Sequence, residues 1–149
     1  MNPTLRLQGS FGFRAHGSIQ TRIDGRLIVS EITGPWNREL VDDWALHTYH
    51  DALKLSETGP WVALGIFLES MMCTPDALDS IRRTVQYSAV KLRCVGYAIV
   101  ADPAVEGREL MAPTFAAIYH DVVPFKMFSD VDAARAWSQE QLRLNGADA

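Results

Sequence analysis

The chain has 149 residues, of which 48% are hydrophobic and 21% are charged, and its formal net charge is −4 with an isoelectric point near 5.5. This length predicts a single domain over residues 1–149, with a core that needs no disulfide or metal. The acidic balance and the scattered lysines and arginines argue against nucleic-acid binding. No apolar run is long enough to cross a membrane, and the first residues lack the apolar core of a signal peptide, so we expect a cytoplasmic protein without an integral membrane segment.

Three strands are predicted at the start of the chain. Residues 11–16 and 18–23 carry the alternation of polar and apolar side chains that is typical of half-exposed strands. Asp24-Gly25 is a two-residue hairpin signal, and it leads into a third strand over residues 26–33. The domain is therefore expected to open with an antiparallel meander.

The first helix and a central strand follow. Asn37 can cap a helix that runs to about Ser56. The apolar positions of this helix fall on one face, and they are Leu40, Val41, Trp44, Ala45, Thr48, Ala52 and Leu55. The run from Trp61 to Leu68 has no charged residue and lies between turn signals. It predicts a central strand that is covered on both faces.

A second helix is predicted from Thr74-Pro75-Asp76, which places a capping hydroxyl before a proline and an acidic residue in the first turn. This helix is expected to end near Val90. Its predicted buried face consists of Ala77, Leu78, Ile81, Val85 and Ala89. A strand over residues 93–101 follows it.

The last third of the chain predicts two more helices and one strand. Residues 106–119 are helical in pattern, with Pro113 either kinking the helix or starting a separate one. Residues 122–128 predict an edge strand, where a proline is tolerated. Ser129 and Asp132 resemble a capping box. It precedes a helix whose apolar stripe is Val131, Ala134, Trp137 and Leu142, and residues 145–149 are expected to form a flexible tail.

The order of these elements predicts an α/β fold in which the antiparallel meander is followed by βαβαβα, giving a mixed sheet with helices packed on it. Gly65 and Gly96 fall inside predicted strands. There they predict the close approach of a helix, because a nucleotide site would need a glycine-rich loop. We expect no cofactor.

Three features resemble the SpoIIAA-like branch of the STAS fold, a group of small bacterial proteins of largely unknown function. They are the hairpin that leads through Thr33-Gly34-Pro35-Trp36 into a helix, the strands 61–68 and 94–101 separated by one helix, and the closing segment from Val123 to Trp137. The similarity covers the chain from about Gly17 to Leu142. It implies a regulatory or binding module without the machinery of an enzyme.

The resemblance also directs attention to the loop after the central strand. In anti-sigma-factor antagonists of this fold, a serine at the start of the following helix is phosphorylated, and this switches partner binding. Here the loop lacks the Asp-Ser-Ser/Thr-Gly signature, and Ser70 and Thr74 are the only hydroxyls that can stand in for that serine. Helix capping is a sufficient role for Thr74. A looser similarity to CRAL-TRIO lipid carriers allows a small apolar ligand.

The predicted binding site is therefore the loop itself, which consists of Glu69, Ser70, Met71, Met72, Cys73 and Thr74. The flexible side chains of Met71 and Met72 suit a groove that binds a protein partner or a small apolar ligand, although both can instead pack under the second helix. A homodimer through the edge strands or through the region of Trp36 and Trp44 is a further prediction.

Two alternatives involve reactive side chains. Cys73, Glu69 and His120 lie near predicted strand ends, and Cys73 with His120 as its base would make a hydrolase or transferase. Cys94 lies inside an apolar strand and is interpreted as a small buried hydrophobic residue, with no disulfide expected. The other alternative is a metal site, since His47, His50 and Asp51 share one side of the first helix. No further ligand completes that site in the sequence, so we interpret these residues as a solvated face.

Overall fold

The structure is a computed structural model that describes residues 17–147, so the strand predicted over residues 11–16 lies outside it. The elements are β1 (Ser18–Asp24), β2 (Leu27–Thr33), α1 (Arg38–Ser56), β3 (Trp61–Leu68), α2 (Pro75–Lys91), β4 (Cys94–Ala101), α3 (Arg108–Tyr119), β5 (Phe125–Phe128) and α4 (Val131–Leu144). None of the helices in this range is long and apolar enough to span a membrane.

The five strands form one sheet in the order in which they occur along the chain. β1 is antiparallel to β2, whereas β2, β3, β4 and β5 are parallel to one another. Each crossover from β2 to β5 moves one strand in the same direction, so right-handed connections place α1, α2 and α3 on one face of the sheet. The structure confirms the predicted α/β fold with a mixed sheet, with β5 as an edge strand.

Two cores cover the two faces of the sheet. The larger core lies under α1, α2 and α3 and includes Trp61, Phe67 and Phe115. The smaller core lies under α4 and includes Leu64 and Leu142. Since β3 contributes fully buried side chains to both cores, the prediction of a central strand covered on both faces is confirmed.

Two predicted helix caps are confirmed. The Asn37 side chain accepts a hydrogen bond of 3.2 Å from the amide of Leu40, at the start of α1. The Thr74 hydroxyl accepts one of 3.4 Å from the amide of Ala77, at the start of α2. The buried face of α2 differs in detail from the predicted one. Leu78 and Ala89 are only half-buried, whereas Ser80 and Ser88 are buried.

Several local predictions are corrected. The hairpin loop is Gly25-Arg26, one residue later than predicted, with Gly25 at a φ of 61°. Pro113 lies inside α3, so of the two predicted alternatives the structure excludes a separate helix that begins at the proline. The cap of α4 is Asp130, which accepts a hydrogen bond of 2.8 Å from Ala133. The predicted cap Ser129 instead accepts a hydrogen bond from Arg108, because the helix begins one residue further on.

The end of α4 differs from the predicted flexible tail. Gly146 adopts a φ of 80°, and its amide donates to the carbonyl of Arg143. The amide of Ala147 donates to the carbonyl of Leu142. This pair of hydrogen bonds is a Schellman motif, so residues 145–147 close the helix.

Candidate functional site

The loop over residues 69–74, called here the β3–α2 loop, lies at the carboxyl edge of the parallel strands, where open α/β sheets usually bind their ligands. Main-chain hydrogen bonds hold it from two sides. The amide of Met71 donates to the carbonyl of Glu106 at 2.8 Å, and the amide of Trp36 donates to the carbonyl of Met72 at 3.0 Å. The loop is therefore joined to both neighbouring connections at this edge.

Ser70 is a structural residue of this loop. Its side chain is 2% exposed. Its hydroxyl donates a hydrogen bond of 2.6 Å to the carboxylate of Glu106 and accepts one of 3.1 Å from the amide of Met72. The carbonyl of Ser70 also packs against Gly34, where a Cβ atom would lie only 2.1 Å from the carbonyl oxygen. The hydroxyl of Ser70 thus joins the main chain of the loop to the connection between β4 and α3.

The two methionines predicted to line one groove are separated by the fold. Met71 is fully buried in the larger core, so the prediction that it contacts a ligand or partner is corrected. Met72 is half-buried and covers Gly107, where a Cβ atom would lie 2.5 Å from the methionine sulfur. Met72 therefore remains at the edge of the sheet, while its neighbour anchors the loop.

Cys73 and Thr74 complete the loop on its outer side. Cys73 is half-buried, and burial raises the pKa of its thiol to about 11. Thr74 is exposed, and its hydroxyl donates a hydrogen bond of 2.6 Å to the carboxylate of Asp76 while it caps α2. Cys73 is thus less ionised near neutral pH than an exposed cysteine, which is the opposite of an activated nucleophile.

Two grooves flank the β3–α2 loop. The first groove, of about 240 Å³, is lined by Pro35, Trp36, Asn37, Met72, Cys73 and Thr74. The second groove, of about 470 Å³, has walls that include Leu68, Glu69, Asp102, Val105, Ser129 and Val131. The loop therefore stands as a ridge between two grooves, and exposed carboxylates lie beside apolar side chains on one of its flanks.

The structure does not bring His120 to Cys73. α3 begins at the carboxyl edge of the sheet and runs back to the amino edge, where β5 starts. His120 follows the end of α3, and its Nε2 lies 3.3 Å from the carboxylate of Asp121, with both side chains exposed. Since Cys73 lies at the carboxyl edge, His120 is at the opposite edge of the sheet from the thiol that it was predicted to serve as a base.

The candidate metal ligands on α1 do not form a cluster. Nδ1 of His47 lies 2.8 Å from the carbonyl oxygen of Asp43, and the ring of His50 faces the ring of Tyr49 at 6.1 Å. Between residues 17 and 147 there is no group of three His, Cys, Asp or Glu side chains that could hold a metal ion. Within that range, Asp51 therefore belongs to no such group.

One predicted dimer surface is corrected by burial. Trp36 and Trp44 are 3% and 7% exposed, and their rings pack edge to face at 6.0 Å in the larger core. Neither ring is available for a second copy of the chain. The edge strands β1 and β5 remain as the other predicted surface.

The sequence did not predict the roles of two residues of the site, Glu106 and Asp102. Glu106 is predicted as the first residue of a helix, but it precedes α3 and forms an isolated β-bridge with Ser70. Asp102 is predicted to end a strand, yet its side chain lines the second groove. Neither role has a local sequence signal, because each depends on a contact with a distant part of the chain.

The fold of this chain is similar to that of an uncharacterised protein of the DUF3478 family, with a SpoIIAA-like fold, from Shewanella loihica. The similarity has a TM-score of 0.58 at 16% sequence identity, and it covers 87% of this chain and 99% of that chain. No family model matches this chain, and no curated protein does. The SpoIIAA-like fold predicted from the sequence is therefore confirmed.

Proposed function

We propose that this SpoIIAA-like domain is a non-enzymatic regulatory module that binds a partner protein through the β3–α2 loop and the two grooves beside it. The proposal rests on the shape of this loop, which forms a ridge between the two grooves. Main-chain hydrogen bonds to Trp36 and Glu106 hold the ridge in place. A ridge held in this way needs little ordering when it binds, so little of the binding free energy is lost.

The chemistry of the second groove suggests which surface the partner presents. Leu68 is 41% exposed at the end of β3, and the exposed carboxylate of Glu69 follows it. Among residues 17–147, Glu69 forms no ion pair. Asp102 adds a second carboxylate to the same groove. We therefore propose that the partner contributes an apolar side chain next to a lysine or arginine.

The cysteine-dependent alternative receives less support. Its nucleophile has a raised pKa, and its proposed base lies at the opposite edge of the sheet. We also propose that the protein acts in the cytoplasm. A homodimer is proposed only through the edge of β1 or β5, since the tryptophan region is buried.

The first experiment introduces a photo-crosslinking amino acid at Glu69 in living cells, with Glu57 as the matched control position. Both residues are exposed glutamates, but Glu57 follows α1 at the amino edge of the sheet. We expect a protein crosslinked from position 69 and none from position 57. Crosslinks that are equal at the two positions, or absent at position 69, would contradict the proposal.

Affinity measurements on the crosslinked partner give the second test. Glu69→Arg and Leu68→Asp should each weaken binding by roughly tenfold, because they reverse a charge and remove an apolar contact. Glu57→Arg and Val90→Asp are the controls, since Val90 is 74% exposed near the end of α2. The proposed surface is wrong if the controls weaken binding as much as the ridge variants do.

A further inference from the structure

An open groove of about 330 Å³ lies between α1 and α2, and it is called here the α1–α2 groove. Both helices contribute to its walls, and the side chains that line it include Ala45, Tyr49, Arg83, Thr84, Tyr87 and Leu92. The ring centroids of Tyr49 and Tyr87 lie 6.2 Å apart. The two tyrosines are 39% and 48% exposed. The α1–α2 groove is therefore an open surface with two aromatic rings in its walls.

The internal space on the same side of the sheet is too small for a ligand. Its volume is about 30 Å³, whereas one water alone needs roughly 10–15 Å³. Gly65 borders this space, and a Cβ atom added there would meet only side-chain atoms of Ile32 and Phe67, at 3.7 and 3.8 Å. The predicted close approach of a helix is therefore wrong at Gly65. It holds at Gly96, where Trp137 of α4 lies 3.4 Å from an added Cβ atom.

An exposed apolar row on α1 extends the α1–α2 groove. Leu46, Tyr49 and Leu53 follow one another at spacings of three and four residues, so they lie on one face of the helix. Leu46 is 55% exposed and Leu53 is 39% exposed. The row extends over about 10 Å along the helix axis. Apolar side chains that are exposed singly need no explanation, whereas a contiguous group of them marks an interaction surface.

The shape of this surface favours a helix as its occupant. A groove between two packed helices accepts a row of side chains from a third helix. An amphipathic helix that binds in this way inserts apolar side chains at spacings of three and four residues. Tyrosine and arginine are also the residue types that most often contribute strongly to binding. With Tyr49, Tyr87 and Arg83 in its walls, the α1–α2 groove is suited to such a helix.

The charge beside the groove is basic. The Arg83 guanidinium donates a hydrogen bond of 3.2 Å to the hydroxyl of Ser80, and Arg83 forms no ion pair among residues 17–147. The chain has four lysines and arginines and no acidic residue over 80–93. Asp51 of α1 is two residues from Tyr49, so it lies on the opposite side of the helix. The groove is therefore complementary to an acidic partner.

The chain itself does not supply that partner. In a two-fold dimer through this surface, each copy would bring the same arginines and lysines to the interface, so like charges would meet. Residues 1–16 contain Arg6 and Arg14 and no acidic residue, so they carry the same sign of charge as the groove. The charge of the groove therefore indicates a different protein as its occupant.

We infer that the α1–α2 groove binds an acidic amphipathic helix of another protein. The apolar side chains of that helix pack on Tyr49 and Tyr87 and along the exposed row of α1, and its carboxylates pair with Arg83. No residue of the β3–α2 loop or of the two grooves beside it lines the α1–α2 groove. The inference therefore adds a second docking surface and does not depend on the proposed function.

Photo-crosslinking identifies the occupant. A photo-crosslinking amino acid replaces Leu53 of the full chain in living cells, and Leu110 is the matched control because it is a 68% exposed leucine on α3. We expect position 53 to crosslink to another protein, within a helix that carries apolar residues beside aspartates or glutamates. Equal crosslinking at the two positions, or none at position 53, overturns the inference. So does a crosslink to a second copy, to residues 1–16 or to a segment without acidic residues.

A synthetic peptide with the sequence of the crosslinked helix tests the role of charge. Arg83→Glu should weaken binding of this peptide to the full chain roughly tenfold or more and reduce the dependence of affinity on salt. Arg82→Glu is the matched control, because Arg82 does not line the groove and pairs with Asp79 at 2.9 Å. Both arginines are exposed, so circular dichroism should show that both variants fold. Equal weakening by the two variants, or no weakening by Arg83→Glu, overturns the inference.

Discussion

The hydroxyl of Ser70 donates a hydrogen bond of 2.6 Å to the carboxylate of Glu106, a residue 36 positions further along the chain. This contact joins the connections that follow β3 and β4, at the edge where the candidate site lies. The main chain reinforces it, since the amide of Glu106 donates to the carbonyl of Glu69 at 2.9 Å. From the sequence, Ser70 and Thr74 are the only hydroxyls of this loop that could take the place of a phosphorylated serine. Here the position of Ser70 indicates a structural role.

Replacing Ser70 with alanine should therefore lower the free energy of unfolding by about 1.5–3 kcal/mol, the usual range for a hydrogen bond to a charged group. The variant also deprives the amide of Met72 of its acceptor. Urea denaturation measures the change. Ser56→Ala is the control, because the Ser56 hydroxyl bonds only to a carbonyl on the exposed end of α1. Equal stabilities of the two variants would contradict a structural role for Ser70.

Arg26 provides a second long-range contact that can be tested. From the β1–β2 loop, its guanidinium donates to the carbonyl of Pro60 at 2.6 Å, to the hydroxyl of Thr58 at 2.9 Å and to the carbonyl of Leu55. A lysine cannot reproduce this set of donors, so Arg26→Lys should cost about 2 kcal/mol in the free energy of unfolding.

Arg22→Lys is the control for that measurement. Arg22 forms an exposed ion pair of 3.1 Å with Glu31, and such pairs contribute about 0–1 kcal/mol. Thermal or urea unfolding of both variants gives the comparison. If Arg26→Lys lowers the free energy of unfolding no more than Arg22→Lys does, the hydrogen bonds of Arg26 contribute little to stability.

Cys73 should react slowly with iodoacetamide. Because burial raises its pKa to about 11, the thiolate fraction near neutral pH is small. We expect alkylation roughly tenfold or more slower than for a free cysteine, since the smaller thiolate fraction outweighs the greater nucleophilicity of a more basic thiolate. The rate should rise with pH until the pKa is passed. Mass spectrometry follows the labelling, with Cys73→Ser as the control. Fast alkylation at neutral pH would revive the nucleophile hypothesis.

The same shift has a consequence for stability. The folded chain keeps the Cys73 proton to a higher pH than the unfolded chain, so the folded state binds more protons between the ordinary pKa of 9.0 and about 11. Stability should therefore fall as the pH rises through this window. Cys73→Ser should flatten the decrease. If the stability of Cys73→Ser falls with pH as steeply as that of the native chain, titratable groups other than Cys73 cause the decrease.

Gly107 and Gly146 form a matched pair. Both adopt a positive φ, of 76° and 80°, which an alanine adopts at a cost of about 1–2 kcal/mol. An added Cβ atom also meets the sulfur of Met72 at Gly107, whereas it meets nothing within 4 Å at Gly146. Gly107→Ala should therefore be the more destabilising variant, and adding Met72→Ala should recover part of the loss. No recovery in the double variant would show that Met72 does not fill this space.

The sequence by itself determined the order and type of the elements between residues 17 and 147. Hydrophobic periodicity and helix caps are local properties, so Asn37 and Thr74 could be identified as caps, and the run from Trp61 to Leu68 as the central strand. Boundaries were less certain where turn residues lie next to each other, as at Gly25 and Asp130. The same local reasoning supported the similarity to the SpoIIAA-like fold, which is itself a pattern of elements.

Only the tertiary structure decided what the side chains of the candidate site do. Met71 and Met72 are adjacent and chemically identical, yet one is buried in the core and the other covers Gly107 at the edge of the sheet. Likewise, the contact of Ser70 with Glu106 depends on two parallel strands that place distant loops side by side. Burial and pairing across the sheet are properties of the whole fold, whereas periodicity and capping are properties of a few neighbouring residues.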